Sequence, residues 1–381
     1  MISNRAGVFV KQPSGYVAYI PNPLPPDPPI KIDTEMLKLL SDADRKLGRL
    51  DGITQILPNP ELFVAMYVRK EAVLSSQIEG TQASLIDILG EDEQKGKSLD
   101  VREIANYVNA MNYGLERLPE LPLSLRLIRE IHSVLLKDGR GSSRNPGEFR
   151  RTQNWIGPAG CNLMSATFVP PPVPEMTQAM SQLEIFMHEK DDIPTLIKIG
   201  MIHAQFETIH PFLDGNGRIG RLLITFWLCQ QEILSQPLLY LSYYFKQNRL
   251  EYYDRLTAIR EKGDWENWLK FFLKGIAQVS DQAIYSAKEI INLRDNYSRM
   301  LYDKNSNNAN YQKLLDALFE NPVVTISKVK GLLNVSHPTA STLVSDFCDI
   351  GILAPRGNKK RNKSYIFASY IDILSQGTEL Q

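Results

Sequence analysis

Apolar residues recur at helical spacing along most of the chain. Downstream of Asp33, whose carboxylate suits an N-cap, Met36, Leu37, Leu40, Leu47 and Leu50 define one amphipathic helix. A second is predicted over 60–78, carrying Phe63, Met66, Tyr67, Val73 and Leu74. Further helices are predicted over 100–118, 124–136, 175–188, 194–209 and 217–232, with Pro194 at the first helical position of its segment. Six prolines within 21–29 exclude helix and favour an extended surface tether. The polar, charged run 91–97 reads as a solvated connection.

The pattern changes in the middle of the chain. Residues 152–174 mix Trp155, Ile156, Phe168 and Val169 with Gly157, Gly160 and a stop at Pro170, Pro171 and Pro172, which predicts a short β-hairpin. Residues 303–310, with four asparagines, read as a linker. Helices over 311–319, 326–333 and 338–350 follow, then two short strands flanking 357–363. Three helices and a basic hairpin describe a winged helix-turn-helix, with 338–347 in the recognition position. The expected fold is therefore mainly α, in units 1–120, 121–302 and 311–381 with the linker at 303–310.

Composition adds bounds rather than a function. At about 150 residues per domain, 381 residues make two or three units. Lys+Arg and Asp+Glu each total 43, so no global charge announces a nucleic-acid or membrane partner. Hydrophobic residues at 43% and charged residues at 23% argue against extensive disorder. Cys161, Cys229 and Cys348 lie far apart, which speaks against a disulfide framework or a Cys-rich zinc site and fits a reducing cytoplasm. No apolar leader is evident at the N-terminus, and stretches such as 222–229 are too short to span a bilayer.

Several chemical signals fail on context. Gly96, Lys97 and Ser98 resemble the end of a phosphate loop, but Glu91 stands where the earlier glycine should be. Glu207 and His210 have di-iron spacing, yet no second copy exists. Neither a zincin His pair nor a Gly-x-Ser-x-Gly elbow is present.

The run His210, Pro211, Phe212, Leu213, Asp214, Gly215, Asn216, Gly217, Arg218, Ile219, Gly220, Arg221 sits where one helix ends and another begins. Its residue types fit phosphate chemistry. Glycines let the backbone approach a ligand, and the amides opening the next helix form an anion site reinforced by the dipole. Arg218 and Arg221, at i and i+3, share a helix face and suit phosphate oxygens. Asp214 offers a hard oxygen to Mg²⁺, and His210 suits a general base.

These twelve residues match the His-x-Phe-x-(Asp/Glu)-Gly-Asn-Gly-Arg-x-x-Arg signature at every defined position, and the chain thereby resembles Fic-domain proteins. The resemblance implies a helical Fic-type core with a β-hairpin flap, and transfer of AMP from ATP to a Ser, Thr or Tyr hydroxyl of a protein target or of the chain itself. On that footing His210 would deprotonate the hydroxyl and Asp214 would hold Mg²⁺. Gly215, Asn216 and Gly217 would cradle phosphates, with Ile219 and Gly220 in the same nucleotide-binding segment, and Arg218 and Arg221 would grip the outer phosphates. The unbroken glycine loop favours nucleotidyl transfer over the phosphoryl transfer of the related Doc branch. Asn154, Trp155, Ile156 and Gly157 resemble the target-aligning flap. Tyr252 and Tyr253 resemble a tyrosine pair beside adenosine, although the asparagine that follows in such relatives is here Arg260.

Upstream, Ser75, Ser76, Gln77, Ile78, Glu79 and Gly80 resemble the (Ser/Thr)-x-x-x-Glu-(Gly/Asn) inhibitory motif of the same family. The expectation is that Glu79 pairs with Arg221 and removes it from the γ-phosphate, with Ser75 and Gly80 completing the motif. In some relatives this glutamate serves removal of AMP instead. At the far end, Arg356, Lys359, Lys360, Arg361 and Lys363 form a basic tip that suits DNA phosphates or a dimer contact. A DNA-binding regulator with a weak Fic core is the alternative function.

Overall fold

The structure, a computed structural model, describes residues 5–54, 60–89, 98–304, 308–356 and 363–379. An antiparallel hairpin comes first, with β1 (Gly7–Lys11) and β2 (Val17–Pro21) paired in the register Gly7 with Pro21. Helices α1 (Thr34–Thr54), α2 (Pro60–Ile78), α3 (Leu85–Leu89), α4 (Leu99–Arg117) and α5 (Leu125–Leu135) follow. Beyond an irregular segment lie α6 (Val173–His188), α7 (Thr195–Ile209), α8 (Asn216–Gln230), α9 (Ser242–Gln247), α10 (Arg249–Lys262) and the 40-residue α11 (Trp265–Lys304). The C-terminal unit is α12 (Ala309–Glu320), β3 (Val323–Thr325), α13 (Ile326–Leu333), α14 (His337–Asp349), β4 (Ala354–Arg356), β5 (Ser364–Ile366) and α15 (Ala368–Ser375).

Local chemistry sets the helix starts. Asp33 Oδ1 accepts from the Met36 amide at 2.8 Å, and Ser98 and Ser124 cap α4 and α5 in the same way. Pro194 serves as the N-cap of α7 rather than its first residue. Helix α7 is buried along nearly its whole length, and α8 shares that burial, so these two form the centre of the core. Around them α11 packs lengthwise against α1 and α7, while α4 and α5 pack on each other.

Three expectations change. The hairpin over 152–174 contracts to one antiparallel bridge between Ile156 and Phe168, because Pro170, Pro171 and Pro172 have no N–H to extend the ladder. The proline run is tied down: the Arg5 guanidinium donates to the Pro28 and Pro29 carbonyls and pairs with Glu266 of α11 at 2.8 Å. Helix α11 continues through position 304 into the expected linker, of which 305–307 lie outside the described residues. The connection 91–97 and the basic tip at 357–362 also lie outside them.

In the C-terminal unit the antiparallel sheet runs β3-β5-β4, and Leu314, Leu315, Leu318 and Phe347 are buried. Helix α15 packs back on α2, α3 and α11, so this unit touches the N-terminal helices. No described helix is long and apolar enough to cross a membrane.

Candidate active site

Helix α7 ends in a left-handed residue, His210 (φ 51°), and α8 begins after another, Gly215 (φ 79°). The second position suits glycine, which pays no Cβ penalty there. Between them the loop is braced from all sides. The Asn216 side chain accepts from the Phe212 amide and donates to the Phe212 carbonyl, both at 2.8 Å. Asn154 Nδ2 donates to the carbonyls of Phe212 at 2.8 Å and His210 at 3.2 Å. The buried Arg150 donates from Nε to the His210 carbonyl at 3.1 Å and from its amide to Pro211 at 2.9 Å.

His132 of α5 completes this support. Its ring stacks on Phe212 with centroids 3.7 Å apart and planes 7° apart. Nδ1 accepts from the Gly147 amide at 2.9 Å, so the proton resides on Nε2 and is donated to the Asp214 carbonyl at 3.0 Å. Burial pulls its pKa down to about 4, which keeps the imidazole neutral in this role.

The loop presents an anion cradle. The first helical bond of α8 runs from the Ile219 amide to the Gly215 carbonyl, and no side chain caps the start of this helix. The amides of Asn216, Gly217 and Arg218 therefore precede the ladder at the positive end of the dipole. Arg218 and Arg221 are buried beside them, and Arg218 Nη2 donates to Asp214 Oδ1 at 3.3 Å. The same Oδ1 accepts from the Gly215 amide at 2.6 Å, while Oδ2 abuts Gly141, where an added Cβ would come within 2.5 Å. His210 Nδ1 lies 3.4 Å from the Glu207 carbonyl, an arrangement that leaves the lone pair on Nε2. Burial drives its pKa down to about 4, so the ring is a neutral base at physiological pH.

Glu79 closes the cradle from the end of α2. Its Oε1 accepts from Arg221 Nη2 at 2.7 Å, and Ser75 accepts from the same guanidinium through Oγ at 2.8 Å and its carbonyl at 3.0 Å. Arg221 is 2% exposed and Glu79 39%, so the carboxylate is the member that faces solvent. Burial raises the Glu79 pKa, but the charge and hydrogen bond of Arg221, with Arg218 behind, outweigh it and leave the carboxyl below its ordinary value. An added Cβ on Gly217 would come 2.2 Å from Glu79 Oε1, so only glycine leaves room for this contact. The left-handed Gly80 (φ 96°) then turns the chain away.

Other residues singled out in the sequence lie elsewhere. Trp155 and Ile156 are exposed on the irregular segment, and Trp155 Nε1 donates to the Cys161 carbonyl at 3.2 Å. A Cβ on Gly157 would meet Cys161 Sγ at 2.6 Å. Ile219 is buried in the core, and the Gly220 carbonyl accepts from His203 Nδ1 at 2.8 Å. Tyr252 is buried too, its hydroxyl donating to His203 Nε2 at 2.9 Å and its ring stacked on Phe245 at 4.5 Å. The side chains of Ile219 and Tyr252 are packed in the interior, whereas Tyr253 is 41% exposed.

Sequence reasoning missed His132, and it missed the buried Glu71, which accepts from Tyr107 at 3.2 Å and from the amide of Ser242 at 3.1 Å. Glu207 was considered only as a metal ligand. Burial raises its pKa to about 7, and its Oε1 has no hydrogen-bond partner. Among the described residues no group of three or more His, Cys, Asp or Glu could hold a metal ion. A cation here would have Asp214 as its protein carboxylate, which fits Mg²⁺, an ion that takes one or two carboxylates and ligand phosphates.

Comparison with known proteins finds similar sequences and a similar fold. Residues 37–116 match the Fic/DOC family N-terminal profile and 122–228 the Fic/DOC family profile. Proteins named protein adenylyltransferase Fic are 28% identical over 199 residues in Drosophila grimshawi and 29% over 222 in Culex quinquefasciatus. The matches cover 51% and 56% of this chain but only 38% and 41% of those proteins, so the chain spans about two fifths of their length. The relative of that name from Aedes aegypti is 30% identical over 200 residues, 51% of this chain and 36% of its own. A solved Fic family protein from Desulfovibrio desulfuricans G20 shares the fold with a TM-score of 0.58 at 17% identity, covering 89% of this chain and 97% of that one. Two stretches of the chain, 37–116 and 122–228, are thus similar in sequence to the Fic/DOC N-terminal and Fic/DOC families.

Proposed function

We propose that this protein transfers AMP from ATP to a hydroxyl on a protein, and that Glu79 holds it in an inhibited state. The observation that carries the reading is the neutral His210 beside an uncapped helix start flanked by two buried arginines. His210 Nε2 takes the hydroxyl proton as the oxygen attacks the α-phosphorus. The bond from that phosphorus to the β-phosphate bridging oxygen breaks, and pyrophosphate leaves. The amides of Asn216, Gly217 and Arg218 meet the phosphate charge, since a preorganised donor set stabilises charge without reorganising. Asn216 acts through its backbone because its side chain is engaged by Phe212. Asp214 would hold Mg²⁺, which supplies charge neutralisation on the phosphates.

Inhibition follows from position. Glu79 places a negative charge against Gly217 and engages Arg221, so the γ-phosphate meets a carboxylate where it needs a cation. ATP carrying label on either the α- or the γ-phosphate tests the reaction class. Protein-bound label from α alone supports AMP transfer, and label from γ alone would assign phosphoryl transfer instead.

The C-terminal unit supports a second role. His337, Thr339, Thr342 and Ser345 of α14 are exposed, a polar helix face suited to DNA. Salt-sensitive DNA retention that vanishes when these four become alanine supports it, and no retention at low salt counts against it.

A further inference from the structure

The last described residues do not trail into solvent; they are seated against the end of the helix that carries Glu79. Gln77, two positions before Glu79, uses its whole side-chain amide there. Nε2 donates to the carbonyls of Ala83 at 3.0 Å and Thr378 at 2.9 Å, and Oε1 accepts from Lys246 Nζ at 2.7 Å. Lys246, near the end of α9, directs its other two donors to the carbonyls of Gly377 at 3.2 Å and Glu379 at 2.8 Å. All three ammonium donors are thus in use.

The seat is shaped as well as hydrogen-bonded. Gly377 has φ 83°, and a Cβ on it would fall 1.9 Å from Cε2 of Tyr243. Thr378 is buried, with its hydroxyl and amide both donating to the Ser375 carbonyl at 2.8 Å. Main-chain carbonyls make the contacts, so the seat reads the path of the tail more than its side chains.

The same Gln77 also anchors the turn that presents Glu79. Its carbonyl accepts from the Gly80 amide at 3.0 Å, while its side chain holds Ala83 beyond the turn. Anything that loosens Gln77 loosens both ends of the segment bearing the carboxylate. A bond of 2.7 Å between Glu79 and Arg221 tolerates little displacement.

We propose that Gln77, Tyr243 and Lys246 form a docking seat for the chain's own segment Gly377 to Glu379, and that its occupancy holds the Glu79 turn in the position that engages Arg221. The inference rests on the inhibitory role proposed for Glu79, and it makes the C-terminal unit a controller of the cradle. Helix α15, which leads into the tail, is the mechanical link, because it packs on α2 and α3.

Two full-length variants test it. Gly377→Ala cannot seat without moving Tyr243, and Lys246→Met removes the ammonium while keeping the stem. Both should speed amide hydrogen exchange across 76–83 and raise transfer from ATP at least about fivefold. Neither should add to the activity of Glu79→Gly. Unchanged exchange in both variants overturns the latch. So does transfer at the wild-type level from both while Glu79→Gly is active. Faster exchange with Glu79→Gly itself silent upholds the latch on the turn and removes the inhibitory reading instead.

Discussion

Ser75 holds Arg221 at two points, Oγ to Nε at 2.8 Å and carbonyl to Nη2 at 3.0 Å, so the guanidinium is fixed by helix α2 even before Glu79 is considered. Ser75 is fully buried. Ser75→Ala leaves a buried guanidinium N–H without its acceptor, a loss of about 1–3 kcal/mol. Thermal or denaturant melts should register that loss. Transfer should rise less than in Glu79→Gly, because the carboxylate stays in the cradle; equal activation would assign the inhibition to the serine.

His210→Ala should reduce transfer by about 10²–10⁴-fold, the usual contribution of a positioned general base. Measured in a Glu79→Gly background, nucleotide affinity should change little. Loss of affinity in parallel with rate would place His210 in binding rather than proton transfer.

Asn216→Ala removes both bonds that close the loop on Phe212. The cost to stability should be about 1–3 kcal/mol. Transfer in the Glu79→Gly background should fall as well, since the free amides of α8 lose their fixed aim. Full activity in a stable Asn216→Ala protein would show that the brace is dispensable.

The histidine signature was legible because its chemistry is packed into consecutive residues, and α2 was legible because Pro60 and the turn at Gly80 punctuate a strong apolar run. His132 was not. It acts on Asp214 across 82 positions, and nothing local distinguishes it from any other histidine in an amphipathic helix. Nor did any local signal announce that the Tyr252 hydroxyl meets His203 Nε2, 49 positions away. Asn154, expected on the flap, also braces the carbonyls of His210 and Phe212, 56 and 58 positions away, a contact that no local pattern announces. The β1–β2 hairpin went unread although its apolar positions bracket Pro13, Ser14 and Gly15, because the proline run beyond it dominated that region.

Buried neutral histidines give stability a pH dependence of known sign. The His132 pKa stands at about 4 and that of His203 at about 3 in the fold, against about 6.5 for a free imidazole. As pH falls below about 6.5 the unfolded chain takes up protons that the folded chain refuses, so their contribution is intact above that value and declines toward about pH 4. Glu71 acts oppositely: burial raises it to about 7, so its contribution diminishes as pH rises toward that value. His132→Asn should flatten the acid decline in melting temperature between about pH 6.5 and about pH 4.5. An unaltered slope would mean that His132 does not titrate as its burial requires.

We propose that a carboxylate, and not a missing catalytic group, keeps this cradle silent. The decisive experiment compares transfer of α-labelled AMP by Glu79→Gly and by the wild-type chain, side by side with ATP and Mg²⁺. Removing Glu79 should raise transfer by about 5–150-fold, the range of a single regulatory coupling. Equal transfer by the two proteins would contradict it.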